Sequence, residues 1–387
     1  MPGTEEALVV VGAGAAGLTA VDALRRQGFA DPIVLVGAES HLPYDRPPLS
    51  KGFLLGTLDR TRITLREPQV LADLGIELLL GRVATAVDIA ARRLELDDGS
   101  VLRYSRLIVA TGVRPARPAF LDGHRGVHVL RTVDDAERLA HAMSSAASAI
   151  VIGGGLLGYE LAASARSAGL NVTLVDRSRV PLAHVLGPVA GGAVAQLHRE
   201  HGVVLRTGHS VRAATTAGGT TSVSLDDDSS LSADLVVAAV GSHPNVEWLA
   251  GSGLDTRDGV GCDHLGRAAS GVYAIGDVAR WSPPGGRGMR IEHRTNATQQ
   301  ALAIAGHIAA GTEPAPAAPY FWTDQFSERI QVAGHIGADA DSAIVAGDVA
   351  ARRFVIKASR RGSPTGVLGW RMAKDFARHR GELVGAY

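Results

Sequence analysis

The chain alternates short apolar runs with glycine-rich turns, and one arrangement occurs twice. Ala7–Val11 is an apolar run that ends in Gly12-Ala13-Gly14-Ala15-Ala16-Gly17. A stretch of helical periodicity follows through about Gln27, and then a second apolar run, Ile33–Val36. The same order returns at Ala149–Ile152, Gly153-Gly154-Gly155-Leu156-Leu157-Gly158, a helical stretch to about Ala168, and Asn171–Val175. Runs this short, each joined through glycines to a helix, predict parallel strands with crossover helices. The repeat is therefore one βαβ unit used twice.

Further runs extend the pattern. Leu107–Ala110 ends in Thr111-Gly112, and Leu235–Gly241 repeats that shape. Tyr273-Ala274-Ile275 runs into Gly276-Asp277, which places an aspartate at a strand's carboxyl end. Thr312–Pro319 reads as a Pro/Ala linker, and beyond it Arg353–Ala358 alternates like a strand and Arg371–Arg380 like a helix. The patch Ala214–Ser222 is polar and of low complexity.

The spacing G-x-G-x-x-G between a strand and a helix has a chemical reason. The first glycine permits the tight turn, the second admits a pyrophosphate, and the third lets helix and strand pack closely. The anion then meets the unpaired N–H groups of a helix N-terminus. A single such turn also arises by chance in alanine-rich sequence. Here both copies are followed by an acid suited to a ribose, Glu39 and Asp176. Two dinucleotides in one chain imply a relay from a hydride donor to a flavin, which releases electrons singly.

Composition narrows the class. At 387 residues the chain exceeds one core and suits two or three domains. Acids and bases balance at 39 each, so net charge gives no sign of a nucleic-acid partner. A single cysteine, Cys262, excludes both a disulfide framework and a relaying cysteine pair, and fits a reducing cytoplasm. The start, MPGTEEALVVVGAG, lacks the basic segment of a signal peptide. The least polar stretches fall short of the ~20 residues of a membrane helix. No metal-ligand spacing stands out. The expectation is a cytoplasmic enzyme, a monomer or weak dimer, without membrane or nucleic-acid binding.

The segment Leu42-Pro43-Tyr44-Asp45-Arg46-Pro47-Pro48-Leu49-Ser50-Lys51 closely resembles the FAD-dependent NAD(P)H:ferredoxin reductases that serve oxygenases. That group includes reductases of Rieske dioxygenase and cytochrome P-450 systems, rubredoxin reductases and apoptosis-inducing-factor relatives. Leu130-Arg131-Thr132, Ala274–Asp277, Arg290–His293, Asn296-Ala297 and Phe321-Trp322-Thr323-Asp324-Gln325 extend the resemblance along the whole chain. It implies an α/β fold with two Rossmann-like dinucleotide-binding domains, the NAD domain inserted in the FAD domain as in glutathione reductase. Residues 1–110 and 240–318 would form the FAD domain, 111–239 the NAD(P)H domain, and 319–387 a C-terminal α+β domain.

Carried over by position, the resemblance gives Gly12, Gly14, Ala15 and Gly17 to the FAD pyrophosphate, Arg46 to its phosphates and Glu39 to its ribose. Val83, Thr111, Gly112 and Arg131 would complete that site, with Asp277 on the ribityl chain and Trp322 closing over the ring. Lys51 would lie near the flavin N5, paired with Glu160, and these two with Trp322 are the catalytic candidates. Gly153, Gly155, Leu156, Leu157, Gly158 and Gly241 would carry NADH, with Asp176 on its ribose. The physical case for Lys51 is that a fixed cation stabilises charge developing at N5, with a glutamate to orient it. Read without the resemblance, the two are ordinary surface charges.

Two departures stand out. Leu156 replaces an aromatic or β-branched residue of the family, which bears on how far the flavin is shielded from oxygen, and Tyr159 replaces a leucine. Arg177 and Arg179 follow Asp176. The acid favours NADH, whereas an arginine can receive the 2′-phosphate of NADPH. NADH is the expected donor, and NADPH the alternative. For the acceptor, the resemblance implies an acidic ferredoxin. The segment Ala351–Tyr387 carries nine Arg and Lys against Asp375 and Glu382, which would steer such a partner, or simply forms a solvated basic face. The competing functions are an NAD(P)H oxidase or small-molecule reductase, and a flavin-bound interaction protein without turnover.

Overall fold

A computed structural model describes residues 6–121, 126–283, 285–315, 317–338 and 340–383. The first five residues, read above for a signal peptide, and Pro316 of the linker lie outside these. The chain divides into two compact units. One comprises Met1–Asp45, Thr61–Arg114 and His243–Ala315, and the other Arg46–Arg60, Pro115–Ser242 and Pro316–Tyr387.

In the first unit, five parallel strands run in the order Val272–Ala274, Val101–Val109, Ala7–Val11, Ile33–Gly37, Glu77–Leu80. The central strands are buried along their whole length, which is why they read as unbroken apolar runs rather than as alternation. Leu8, Val10, Leu24, Leu35, Ile108 and Ile304 are among the side chains packed together in one core, each contributing about 1.5–3 kcal/mol by burial. The helix Ala15–Arg26 returns the chain from the first strand to the second.

The second unit contains a separate parallel sheet, ordered Val204–Thr207, Asn171–Asp176, Ser148–Ile152, Leu235–Ala238, Val127–His128. Its crossover helix is Leu156–Ser167. The polar patch near 214–222, read from the sequence as low in complexity, is built from strands. Val211–Ala217 and Thr220–Leu225 pair antiparallel across Gly218-Gly219, both at positive φ, a hairpin turn that only glycines make readily. The same unit ends in a five-stranded antiparallel sheet, ordered Tyr320–Gln325, Glu328–Gly334, Ser363–Trp370, Arg353–Arg360, Asp341–Asp348. The last helix is Ala373–Gly381, two residues later than the sequence suggests, and buries Phe376 against Gly369.

Candidate functional site

The two glycine turns have nearly the same geometry. Gly12 (φ +121°) and Gly153 (φ +111°) both adopt a conformation that side chains disfavour. A Cβ on Gly12 would lie 2.1 Å from the Ala110 carbonyl oxygen, and one on Gly153 2.2 Å from that of Ala239. A Cβ on Gly17 or Gly158 would strike the carbonyl of Gly12 or Gly153 at 2.0 and 1.9 Å. Gly12 and Gly153 let each turn pass close to the end of the neighbouring strand, and Gly17 and Gly158 let each helix sit tightly on its turn. Gly155 differs, because a Cβ there would meet nothing within 4 Å. That open face is the room a pyrophosphate needs.

Neither helix receives a side-chain cap. Gly14 and Gly155 are the N-cap residues of Ala15–Arg26 and Leu156–Ser167, and neither first turn holds an acid. The first N–H groups therefore have no acid in their own first turn to neutralise them and suit an external anion. Leu156 and Leu157 are partly exposed at the second of these ends.

The acids after the turns are placed differently. Asp176 ends its strand, is 2% exposed, and accepts a hydrogen bond from the Ser178 amide at 2.8 Å. Its carboxylate lies directly against the turn, since a Cβ on Gly154 would sit 1.9 Å from it. The other oxygen, Oδ2, is buried without a hydrogen-bond partner, an orphaned acceptor that suits a ribose hydroxyl. Arg177 and Arg179 are exposed. Tyr159 is fully buried, with its hydroxyl facing the Asp176 carboxylate. Burial and then the nearby Asp176 carboxylate push its phenol well above the ordinary value. Glu39 lies two residues beyond its strand and accepts the Tyr44 hydroxyl at 2.5 Å.

Elsewhere in the first unit, Thr111 and Gly112 form a turn that Asn245 clamps. Thr111 Oγ1 donates to the Asn245 carbonyl at 2.8 Å, and Asn245 Nδ2 donates to the Thr111 carbonyl at 2.9 Å. Asn245 has no sequence signal of its own. Asp277 lies in a short 3-10 turn, Gly276–Val278, rather than at the strand end proper, and the buried Gln300 accepts the Gly276 amide at 2.8 Å. Val83 is 45% exposed beside Asp97, which accepts its amide at 3.0 Å. Cys262 is buried, and burial pushes its thiol up to about 12, so it stays an inert thiol at neutral pH.

Within the second unit, Arg46 precedes the 3-10 turn Pro47–Ser50 and donates to the Arg131 carbonyl at 3.2 Å. Lys51 and Glu160 meet. Nζ of Lys51 lies 2.6 Å from Glu160 Oε2, 3.1 Å from the Pro47 carbonyl and 3.3 Å from Ser50 Oγ. These three acceptors match the three N–H donors of an ammonium, so the head group is held in place. Ser50 Oγ donates to Glu160 Oε2 at 2.7 Å, and Thr323 Oγ1 donates to Oε1 at 2.7 Å. Ser164 Oγ holds the Ser50 carbonyl at 2.6 Å. Neither Ser50 nor Thr323 was singled out for this by the sequence. Behind them, buried Gln325 meets His198 Nε2 at 2.9 Å, and burial pushes His198 down to about 4. Trp322 is half-buried, its ring 6.2 Å from that of Tyr320 and tilted. Gly241 (φ +116°) accepts the Ala116 amide at 2.9 Å.

The basic C-terminal segment is less available than its composition suggests. Arg352 pairs with Glu200, Lys357 with Glu382, Arg371 with Glu328 and Arg378 with Asp375. Arg380 lies over the Tyr320 ring, 4.7 Å from its centroid. Arg353, Arg361 and Lys374 are exposed. Among the described residues no helix is long and apolar enough to cross a membrane.

Residues 6–301 match the family described as Pyridine nucleotide-disulphide oxidoreductase, and 320–384 the one described as Reductase C-terminal. The chain is 38% identical over 356 residues to rhodocoxin reductase of Rhodococcus erythropolis, covering 90% of this chain and 82% of that protein. It is 36% identical over 358 residues to putidaredoxin reductase of Pseudomonas putida, covering 90% and 85%. The crystal structure of a covalent putidaredoxin reductase–putidaredoxin complex superposes with a TM-score of 0.93 at 31% identity, over 99% of this chain and 94% of that one.

Proposed function

The chain belongs to the pyridine nucleotide-disulphide oxidoreductase family, and from that premise we propose that it is an FAD-dependent NADH:ferredoxin reductase serving an oxygenase. The observation that carries this is the pair of uncapped helix N-termini behind glycine turns in one chain, which calls for two dinucleotides. Its relatives include reductases named for rhodocoxin and putidaredoxin. The disulfide chemistry in the family's name needs a reactive thiolate, and the single cysteine of this chain, Cys262, is buried with its thiol pushed up to about 12.

FAD, when bound, takes a hydride from NADH and gives up its electrons one at a time. The chain's residues bind, orient and supply charge. Residues 1–110 and 240–318 hold FAD through Gly12, Gly14 and Gly17, with Thr111, Gly112 and Asp277 along the rest of the cofactor. Residues 111–239 hold NADH through Gly153, Gly155 and Gly158. Asp176 selects NADH over NADPH, because a carboxylate accepts a ribose hydroxyl and repels a 2′-phosphate. Lys51 stabilises negative charge at the flavin ring, acting as a fixed cation because its N–H groups are already committed. Trp322 covers the ring. The acceptor is an iron–sulfur protein with an acidic face, met by exposed Arg353, Arg361 and Lys374. The protein acts in the cytoplasm, as a monomer or weak dimer.

Steady-state turnover with NADH tests this, using a panel of ferredoxins against oxygen and ferricyanide alone. The expected result is rapid cytochrome reduction only after a ferredoxin is added. NADH consumption by oxygen at the same rate without any ferredoxin would overturn it.

A further inference from the structure

The strand Tyr320–Gln325 sends alternate side chains to opposite faces, and its burial alternates with them. Tyr320, Trp322 and Asp324 are partly exposed, while Phe321, Thr323 and Gln325 are buried. Thr323 and Gln325 have no exposed surface at all. Polar groups removed from water in this way are costly unless hydrogen-bonded, so their partners are informative. Thr323 Oγ1 donates to Glu160 Oε1 at 2.7 Å, and Gln325 Nε2 approaches Thr323 Oγ1 at 3.4 Å. Gln325 Oε1 is in turn 2.9 Å from His198 Nε2. The other carboxylate oxygen, Oε2, takes both Ser50 and Lys51.

We propose that Thr323 is a positioning residue for Lys51, acting through Glu160. The terminal torsion of a glutamate is broad and nearly two-fold, so the carboxylate does not fix its own orientation. A donor on Oε1 selects the orientation that keeps Oε2 on the ammonium. Gln325 and His198 support the threonine from behind, with His198 neutral near physiological pH and available for hydrogen bonding. Removing the hydroxyl leaves a buried carboxylate oxygen unpaired. The carboxylate then rotates, and Lys51 moves with it. This inference rests on the reading that Lys51 stabilises charge at the flavin.

The test uses the full-length holoprotein and four variants: Thr323→Val, Thr323→Ser, Glu160→Gln and Lys51→Met. Two quantities are measured, the rate of flavin reduction by NADH in stopped flow and the flavin midpoint potential by spectroelectrochemistry. Thr323→Val is expected to slow reduction on the order of tenfold and to lower the potential, in the same direction as Lys51→Met. Thr323→Ser, which keeps the hydroxyl, should restore both. If Thr323→Val loses FAD, Thr323→Ala removes the same hydroxyl with less crowding and is measured instead. A Thr323→Val protein that melts earlier yet keeps its rate and potential overturns the inference, and so does a Glu160→Gln protein that changes neither quantity, provided Lys51→Met slows reduction and lowers the potential. If Lys51→Met itself changes neither quantity, the reading of Lys51 falls, and the role of Thr323 with it.

Discussion

The two glycine turns share a backbone but divide their small residues differently. In the second, Gly154 leaves space that the Asp176 carboxylate occupies. In the first, Ala13 stands at the corresponding place, and the strand ends in Gly37 rather than an acid. A Cβ on Gly37 would lie 2.7 Å from that of Ala13. One of the two facing positions must therefore be glycine in each turn. Which one it is decides whether a carboxylate rests on the turn or is carried two residues further, as Glu39 is. The same fold unit is thus given two different carboxylate placements by exchanging a side chain across one gap.

The sharpest way to break this symmetry is at the glycines. Gly12→Val places a side chain on the Ala110 carbonyl and should abolish FAD retention, leaving a colourless protein on purification. Gly155→Val points into open space, so the protein should stay folded and yellow but no longer bind NADH, as read by NADH titration of the flavin reduction rate. Reversed results would exchange the assignments of the two turns.

Acid should weaken the second unit through His198. Its folded pKa of about 4 lies below the 6.5 of the unfolded chain, so the unfolded state binds more protons between these values. The neutral form's stability is fully present above pH 6.5 and is lost as pH falls towards 4, by roughly 3 kcal/mol. Thermal melting across that range should show the loss, and His198→Gln should flatten it.

Smaller effects test the gap itself. Gly154→Ala forces the Asp176 carboxylate aside and should lower kcat/KM for NADH about tenfold, narrowing the preference over NADPH. Ala13→Gly, at the matching place in the first turn, only removes a methyl group, and FAD affinity and Tm should change little. Equal effects of the two substitutions would show that Asp176 does not depend on Gly154.

Both turns were legible in the sequence because strand, glycines and helix are contiguous and their periodicity is local. The Lys51–Glu160 pair was legible only through the resemblance, since 109 residues separate its members. Ser50 and Thr323 were missed because a hydroxyl has no recognisable pattern until folding selects its partner. Thr323 and Glu160 are 163 residues apart. The strand Val211–Ala217 was hidden for a different reason. Its face is Ala and Thr, with only Ala214 buried, too weak an alternation to separate from low complexity. How much of the basic C-terminal segment is free could not be read from it, because Glu200 and Glu328, which pair with part of it, lie outside it in sequence.

The alternation along Tyr320–Gln325 constrains how this segment can change over time. Inserting or deleting one residue within it would exchange its faces, turning Trp322 and Asp324 inward and Thr323 and Gln325 outward. Point substitutions can alter either face independently, but length changes of one residue would disturb both at once. Descendants of this chain can therefore vary the segment by substitution or in steps of two residues, and a single-residue shift would have to be accompanied by a β-bulge that restores the frame.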